Sequence, residues 1–414
     1  MQDLLEVCCG LDVHKETVVG CLLTGVPEMK PSSEIRSFST MAAGLAELGE
    51  WLRKAGCRHV AMESTGIYWI PIYERLEDST EPIELTVVNA RHMKNVPGRK
   101  TDMRDAEWIA TLLRAGLLRS SFIPEKSIRE LRHLTRYRKS IVHDVTAQKN
   151  RIEKFLQSVG FRLSVFLSDA FGASGRNVMR HLIAHGSIDR NGMDGCLKTQ
   201  TRRKLNDILT SVNGTMSTHQ RQFLSMILGH LEQLETHLRQ AESEIERAAS
   251  QFHGAMSVIS SVPGIGHTAA ASILAEIGSN MDCFVTSEHL CSWAGMSPGN
   301  NESAGKRKST ATTHGNPYVK SMLCEVAWGI AGKRNTYLSN WYWRLKQRKG
   351  AKKAVVALGR KLLVIIFTML KNGTFFDEAC FEQRRQQCER RRVSRMLSEL
   401  ERLGYEIVSP TAIT

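Results

Sequence analysis

Four acidic residues stand where folding alone gives them little reason to be. Asp12 closes an apolar run in Gly10-Leu11-Asp12-Val13-His14-Lys15, and Glu63 closes another in Val60-Ala61-Met62-Glu63-Ser64-Thr65-Gly66. A carboxylate at the end of a buried strand is expensive unless something pairs with it. Asp102 and Asp105 are three residues apart at the expected start of a helix, in Lys100-Thr101-Asp102-Met103-Arg104-Asp105-Ala106, so they share one helical face. Carboxylates converging from two strand ends and one helix repel unless a hard cation neutralises them, which is what Mg²⁺ with oxygen ligands does. Two such ions, with Mn²⁺ able to substitute, would polarise a phosphodiester and stabilise the attacking and leaving oxygens. Taken singly, Asp102 and Asp105 also suit a plain helix N-terminus, where the dipole favours acids. Their occurrence together with Asp12 and Glu63 is what points to metal chemistry. His14 is a second-rank ligand or general acid, and Lys15, Arg99, Lys100 and Arg104 flank the acids as candidate phosphate contacts.

A second constellation lies far along the chain. Ser260-Ser261-Val262-Pro263-Gly264-Ile265-Gly266, followed by a small-residue helix from His267 to Ile277, has the form of a helix-hairpin-helix element. Gly264 and Gly266 permit a tight turn, and the amides there with the next helix N-terminus can hold a phosphate without reading bases. The following loop joins hydroxyl residues to the basic triplet Lys306, Arg307 and Lys308. A serine beside clustered cations can attack a phosphodiester while the cations stabilise the pentavalent phosphate. Spacing alone does not separate Ser297, Ser303 and Ser309, and most loop serines are turn formers.

The elements that must position these residues read as an α/β region followed by a helical one. Leu4 to Val13 and Thr17 to Leu23 form two strands around a turn at His14-Lys15-Glu16, and Arg58 to Met62 and Glu84 to Val88 form two more. Helical periodicity covers Met41 to Ala55 and Ile67 to Leu76. Strands alternating with helices favour parallel neighbours. A long basic helix runs from Ser127 to about Ser158. After a polar stretch, Leu224, Ile227, Leu231, Leu234, Leu238, Ala241, Ile245 and Ala248 alternate steps of three and four, a heptad pattern that fits either packing within the chain or an intermolecular coiled coil. The expected domains are 1–124, 125–252, 253–376 and a peripheral helical tail, 377–414.

Charge distribution argues for a polyanionic partner. The 414 residues carry a formal net charge of +14. Residues 1–97 hold 9 basic and 14 acidic side chains, 98–160 hold 14 and 7, and 300–361 hold 14 and 2. Two separate basic segments imply an extended nucleic-acid contact. The ten cysteines are scattered with no CxxC, so they read as reduced packing thiols. No window approaches a membrane span, so a cytoplasmic protein is expected, and with a nucleic-acid partner a nucleoid-associated one.

GLDVHK, ESTG, KTDMRDA, VPGIG and the region from CSWAGMSPGNNESAGKRK to HGNPYVK occur in this order between Glu6 and Leu370. In this the chain resembles the DEDD-type transposases of the IS110 insertion-sequence family, a group that includes pilin-gene invertases. The resemblance implies an N-terminal ribonuclease-H-like (RuvC-like) domain whose acids match Asp12, Glu63, Asp102 and Asp105. It also implies a C-terminal transposase domain in which Ser303 forms a transient phosphoserine link to DNA. An oligomer, dimer or tetramer, with active sites shared between protomers, and a bridge RNA pairing with donor and target DNA are implied as well. Two other functions fit the residues: a Holliday-junction-type endonuclease in which water attacks, and a non-catalytic nucleic-acid scaffold.

Overall fold

The structure is a computed structural model that describes residues 3–64, 66–89, 105–299, 301–303, 306–309, 311–312, 314–333 and 336–404; for 301–303 and 306–309 it describes the backbone. The chain divides into two compact units, Met1–Ile123 and Pro124–Thr414.

In the first unit β1 (Val7–Val13), β2 (Thr17–Thr24), β3 (Ser32–Ser39), β4 (His59–Glu63) and β5 (Glu84–Val88) form one sheet in the order β3-β2-β1-β4-β5. The first three strands are antiparallel, and β4 and β5 run parallel to β1. The expected hairpin is present, its turn closed by the His14 amide donating to the Thr17 carbonyl at 2.9 Å. Side chains alternate across the strands. Cys9, Leu11, Val13, Val60 and Met62 share one core with α1 (Ala42–Lys54) and α2 (Trp69–Glu77), including Leu48, Leu52, Ile72 and Leu76. Cys8 and Ala61 face the other way, onto Ala106, Ile109 and Ala110 of α3 (Asp105–Arg114). Burying a side chain such as Ile109 contributes roughly 1.5–3 kcal/mol.

That second face is unusually close. A Cβ at Gly10 would lie 2.3 Å from both the Ala106 carbonyl oxygen and the Ala110 nitrogen, so only glycine lets α3 rest on β1. At the far end of α3, Arg114 is 1% exposed and donates to Asp3 Oδ2 at 2.6 Å and to the Gly25 and Val26 carbonyls at 3.0 Å. Strand β3 has no counterpart in the sequence reading. It is an edge strand in which only Phe38 is buried, so its sequence SSEIRSFS carries almost no apolar signal.

The second unit is helical. α4 (Lys126–Ser158) lies against a second long helix, and between them the chain forms α5 (Ala173–His185) and four shorter helices. Those pieces bury Phe161, Leu163, Val178, Met179, Leu182, Met193 and Ile208 in one core with both long helices, which corrects the expectation of a merely polar stretch. Gly160 and Gly186, both at positive φ, cut the segment into lengths too short to show periodicity. The second long helix, α6 (Thr218–Ala249), starts at a capping box in which Ser217 Oγ accepts from the Gln220 amide at 3.2 Å. Its heptad residues Leu224, Ile227, Leu231 and Ala241 pack against α4 within the same chain, the first of the two arrangements the heptads allowed.

Beyond it come α7 (His253–Ser260), α8 (His267–Ile277), α9 (Ser287–Trp293), α10 (Pro317–Gly332), α11 (Tyr337–Lys349), α12 (Ala351–Asn372) and the tail helix α13 (Glu378–Arg402). The apolar α12 packs on α7, α9, α10 and α11 and ends at Gly373, left-handed at φ 63°. Between α9 and α10 is a small hairpin, β6 (Asn301–Ser303) with β7 (Lys306–Ser309), where the sequence suggested a loop; its strands are too short and polar to register as strands.

A buried ion cluster ties this region to α4. Glu276, 2% exposed, accepts from Arg136 Nε and Nη2 at 2.7 and 2.8 Å and from Asn316 Nδ2 at 2.6 Å, with Arg132 Nε at 3.4 Å. Burial pulls the Arg132 guanidinium down to about 10 against the opposing pull of Glu276, so it stays charged at neutral pH. Replacing Glu276 with Gln would leave two guanidinium groups without a counter-charge. The expected loss is roughly 3 kcal/mol, at the low end for a broken buried pair because Arg136 remains partly solvated. Urea denaturation of the variant checks this, and an unchanged midpoint would show the cluster to be energetically neutral.

Candidate active site

Asp12 and Glu63 come to the same edge of the sheet. β1 and β4 are parallel with Leu11 opposite Met62, so the next residue on each strand is one of the two acids. By alternation both belong to the Gly10 and Ala61 face, opposite the Leu11 and Met62 core. This is also the face covered by α3, and Asp105 is the first residue of that helix. The close contact sets Ala106 against Gly10, two residues before Asp12 on β1, so the start of α3 is held at the strand end that carries the acids. Strand register thus brings Asp12 and Glu63 to one sheet edge, and Gly10 seats the start of α3 on the same face.

Asp12 is 24% exposed on its side chain, and its Oδ2 lies 3.2 Å from His14 Nε2, the residue set aside as second rank. The tight turn that joins β1 to β2 brings the two together. Lys15 lies in the same turn, exposed, with its carbonyl accepting from Thr40 Oγ1 at 2.9 Å. The oxygen donors suit a hard cation in kind. Among the described residues, however, no three His, Cys, Asp or Glu side chains are grouped closely enough to hold a metal ion. Asp102, Arg99, Lys100 and Arg104 lie outside the described residues.

In the second unit the hairpin register sets Ser303 directly opposite Lys306 and Glu302 opposite Arg307, with Asn301 opposite Ser309. Lys308 lies in β7 between the last two of these pairs. Its base is pinned several times over. The Gly299 amide donates to the Ala311 carbonyl at 2.9 Å, Pro298 bridges Thr312, and the Asn316 amide donates to the Trp293 carbonyl at 3.1 Å. A Cβ at Gly315 would lie 2.1 Å from the Gly295 nitrogen, so the chain crosses itself here. Asn316 caps α10 while its amide group reaches Glu276, which joins the hairpin base to the buried ion cluster. That cluster carried no recognisable sequence signal, because Arg132 and Arg136 looked like two more cations on a basic helix.

Gly264 sits at φ 102° in the turn between α7 and α8, and a Cβ there would lie 2.7 Å from Ile330. Gly266 is the residue before α8 and has open space around it, so the first amides of α8 are approachable. The basic helix α4 supplies fewer free cations than its sequence promised. Arg129 donates to the Pro124 carbonyl at 3.0 Å, Arg138 pairs with Glu242 at 2.6 Å, and Arg132 and Arg136 pair with Glu276. Every cysteine whose side chain is described is unpaired, and burial pushes Cys8 up to about 12 and Cys57 up to about 11, as expected of packing thiols. No helix among the described residues is long and apolar enough to cross a membrane.

Comparison with known proteins locates the same two regions. A transposase family model, the DEDD type of IS110, matches residues 9–161, and a second, the transposase IS116/IS110/IS902 family, matches 256–343. An insertion element IS110 protein of Streptomyces coelicolor is 25% identical over 311 residues, 68% of this chain and 73% of that protein. Pilin gene-inverting proteins of Moraxella bovis and Moraxella lacunata are each 27% identical over 129 residues, 30% of this chain and 40% of theirs. The first model spans the acids and the second spans the Gly264 turn and the Ser303 hairpin, and on these matches the chain belongs to the IS110 family of transposases.

Proposed function

We propose that this protein is a DNA recombinase that inserts and excises its mobile element by strand cleavage and exchange. The observation that carries the reading is the shared sheet edge and face of Asp12 and Glu63, with the start of α3 and Asp105 held there through Gly10. The strand order supports a ribonuclease-H-like, RuvC-like reading of the first unit, and the α7–α8 turn supports a helix-hairpin-helix reading in the second. Asp12, Glu63 and Asp105, together with Asp102, would hold Mg²⁺, which supplies Lewis-acid polarisation of a phosphodiester when bound.

Ser303 is the proposed nucleophile. Its Oγ forms a bond to phosphorus as the bond from phosphorus to a deoxyribose oxygen breaks; the hydroxyl proton passes to a base and the departing oxygen takes one up. Lys306, across the hairpin, and Arg307 and Lys308 beside it balance the charge that builds on the phosphate. The amides after Gly266 hold a neighbouring backbone phosphate. A bridge RNA from the element and assembly as a homo-oligomer complete the proposal; the basic span 300–361 supplies surface for nucleic acid.

The test is to incubate the protein with Mg²⁺, the element's junction DNA and its flanking transcript, then resolve products on a denaturing gel. Protein-linked DNA is expected, and it should vanish when EDTA removes the metal. Metal-dependent cleavage with no adduct would mean a water-using junction endonuclease, and binding with no cleavage would mean a scaffold.

A further inference from the structure

Between Glu325 and Asp377 the chain has eleven Lys and Arg residues and no acid. Two tryptophans in this stretch are on the surface: Trp328 of α10 is 54% exposed and Trp343 of α11 is 41% exposed. Both lean on Tyr342, which is 1% exposed, with ring centroids 6.3 Å and 5.6 Å away. Trp343 is held at its edge by Nε1 donating to the Ala331 carbonyl at 3.1 Å, and Lys346 Nζ sits 4.1 Å from its ring centroid. Beside Trp328 the helix is bare, since a Cβ at Gly329 or Gly332 would meet nothing within 4 Å. The outcome is a pair of indoles on a buried tyrosine beside open backbone, with Lys346 on Trp343 and Glu325 one helical turn from Trp328, in a stretch otherwise free of acids.

We propose that Trp328 and Trp343 form a stacking platform for unpaired nucleobases of a single strand, with Lys346, Lys333 and Arg344 taking the adjoining phosphates. Exposed aromatic faces interleaved with Lys and Arg are what sequence-tolerant single-strand binding requires, because every base has a π-face. Duplex DNA keeps its bases stacked and offers the platform only phosphates. This inference goes beyond the recombinase reading, and its test needs no cleavage.

The test measures binding of labelled oligonucleotides of about 15 residues to the full-length protein by fluorescence anisotropy: oligo-dT, oligo-rU and a duplex of equal length. The double variant W328A/W343A is expected to bind single strands about 100-fold more weakly, roughly ten-fold per stacked base, while duplex affinity stays within about three-fold. W328F/W343F should recover most of the loss, because a phenyl ring still stacks. W343A gives up the bond to Ala331, so W328A alone, with an expected ten-fold or so loss, keeps the idea testable if the double variant misfolds. A loss confined to oligo-rU would assign the platform to RNA, one confined to oligo-dT to DNA. An undiminished single-strand affinity, or an equal loss for the duplex, would overturn it.

Discussion

Asp12→Asn is expected to lower Mg²⁺-dependent cleavage of the element's junction DNA by roughly 1,000-fold, a loss of about 4 kcal/mol of transition-state stabilisation. Asparagine is isosteric and keeps an oxygen able to accept from His14, so the β1–β2 turn should survive. What disappears is the negative charge at the sheet edge, and with it the affinity for a hard cation. Stability should hold or rise slightly, since one carboxylate fewer faces Glu63. A thermal melt alongside the cleavage assay therefore separates the two effects: normal melting with lost cleavage is the expected pair. Wild-type cleavage by Asp12→Asn would remove Asp12 from the metal site and leave its pairing with His14, at 3.2 Å, as its whole role.

Why that edge was legible and other parts were not follows from where each signal is stored. Asp12 and Glu63 end apolar strands, and an acid in such a place stands out in sequence because burial makes it costly. The five motifs in order carried the family. Gly10 looked like an ordinary member of the first motif, yet its missing Cβ is what seats α3 on β1. That information lies in a contact across 96 residues of chain, between Gly10 and Ala106, which no local pattern records. The same holds for Glu276, whose partners Arg132, Arg136 and Asn316 come from two other helix regions. Edge strand β3 and the hairpin β6–β7 were missed for the opposite reason: both are polar and pair through their backbones, so their side chains carry little of the cause. In α6 the heptads were plain, but a heptad states only that a partner helix exists; α4 of the same chain is that partner.

The second large effect is expected at Ser303. Ser303→Ala should abolish protein-linked DNA, while Ser297→Ala and Ser309→Ala keep it, although the sequence by itself treats the three alike. The hairpin makes them different. Ser303 occupies the last paired position before the turn, opposite Lys306, whereas Ser309 pairs with Asn301 at the base and Ser297 precedes the hairpin altogether. Directly opposed residues in an antiparallel pair have Cβ atoms about 4.5–5.5 Å apart, so positions 303 and 306 are neighbours across the hairpin. The base of the hairpin is clamped by the Gly299 to Ala311 bond and by the crossing of Gly295 and Gly315. Binding of junction DNA by Ser303→Ala should remain within about two-fold, because phosphate contacts come from Lys and Arg and not from the hydroxyl. Adduct retained in Ser303→Ala but lost in Ser309→Ala would move the nucleophile to the hairpin base. Adduct absent from the wild type, with cleavage intact, would take the serine out of the chemistry and leave Lys306 and its neighbours as a phosphate clamp.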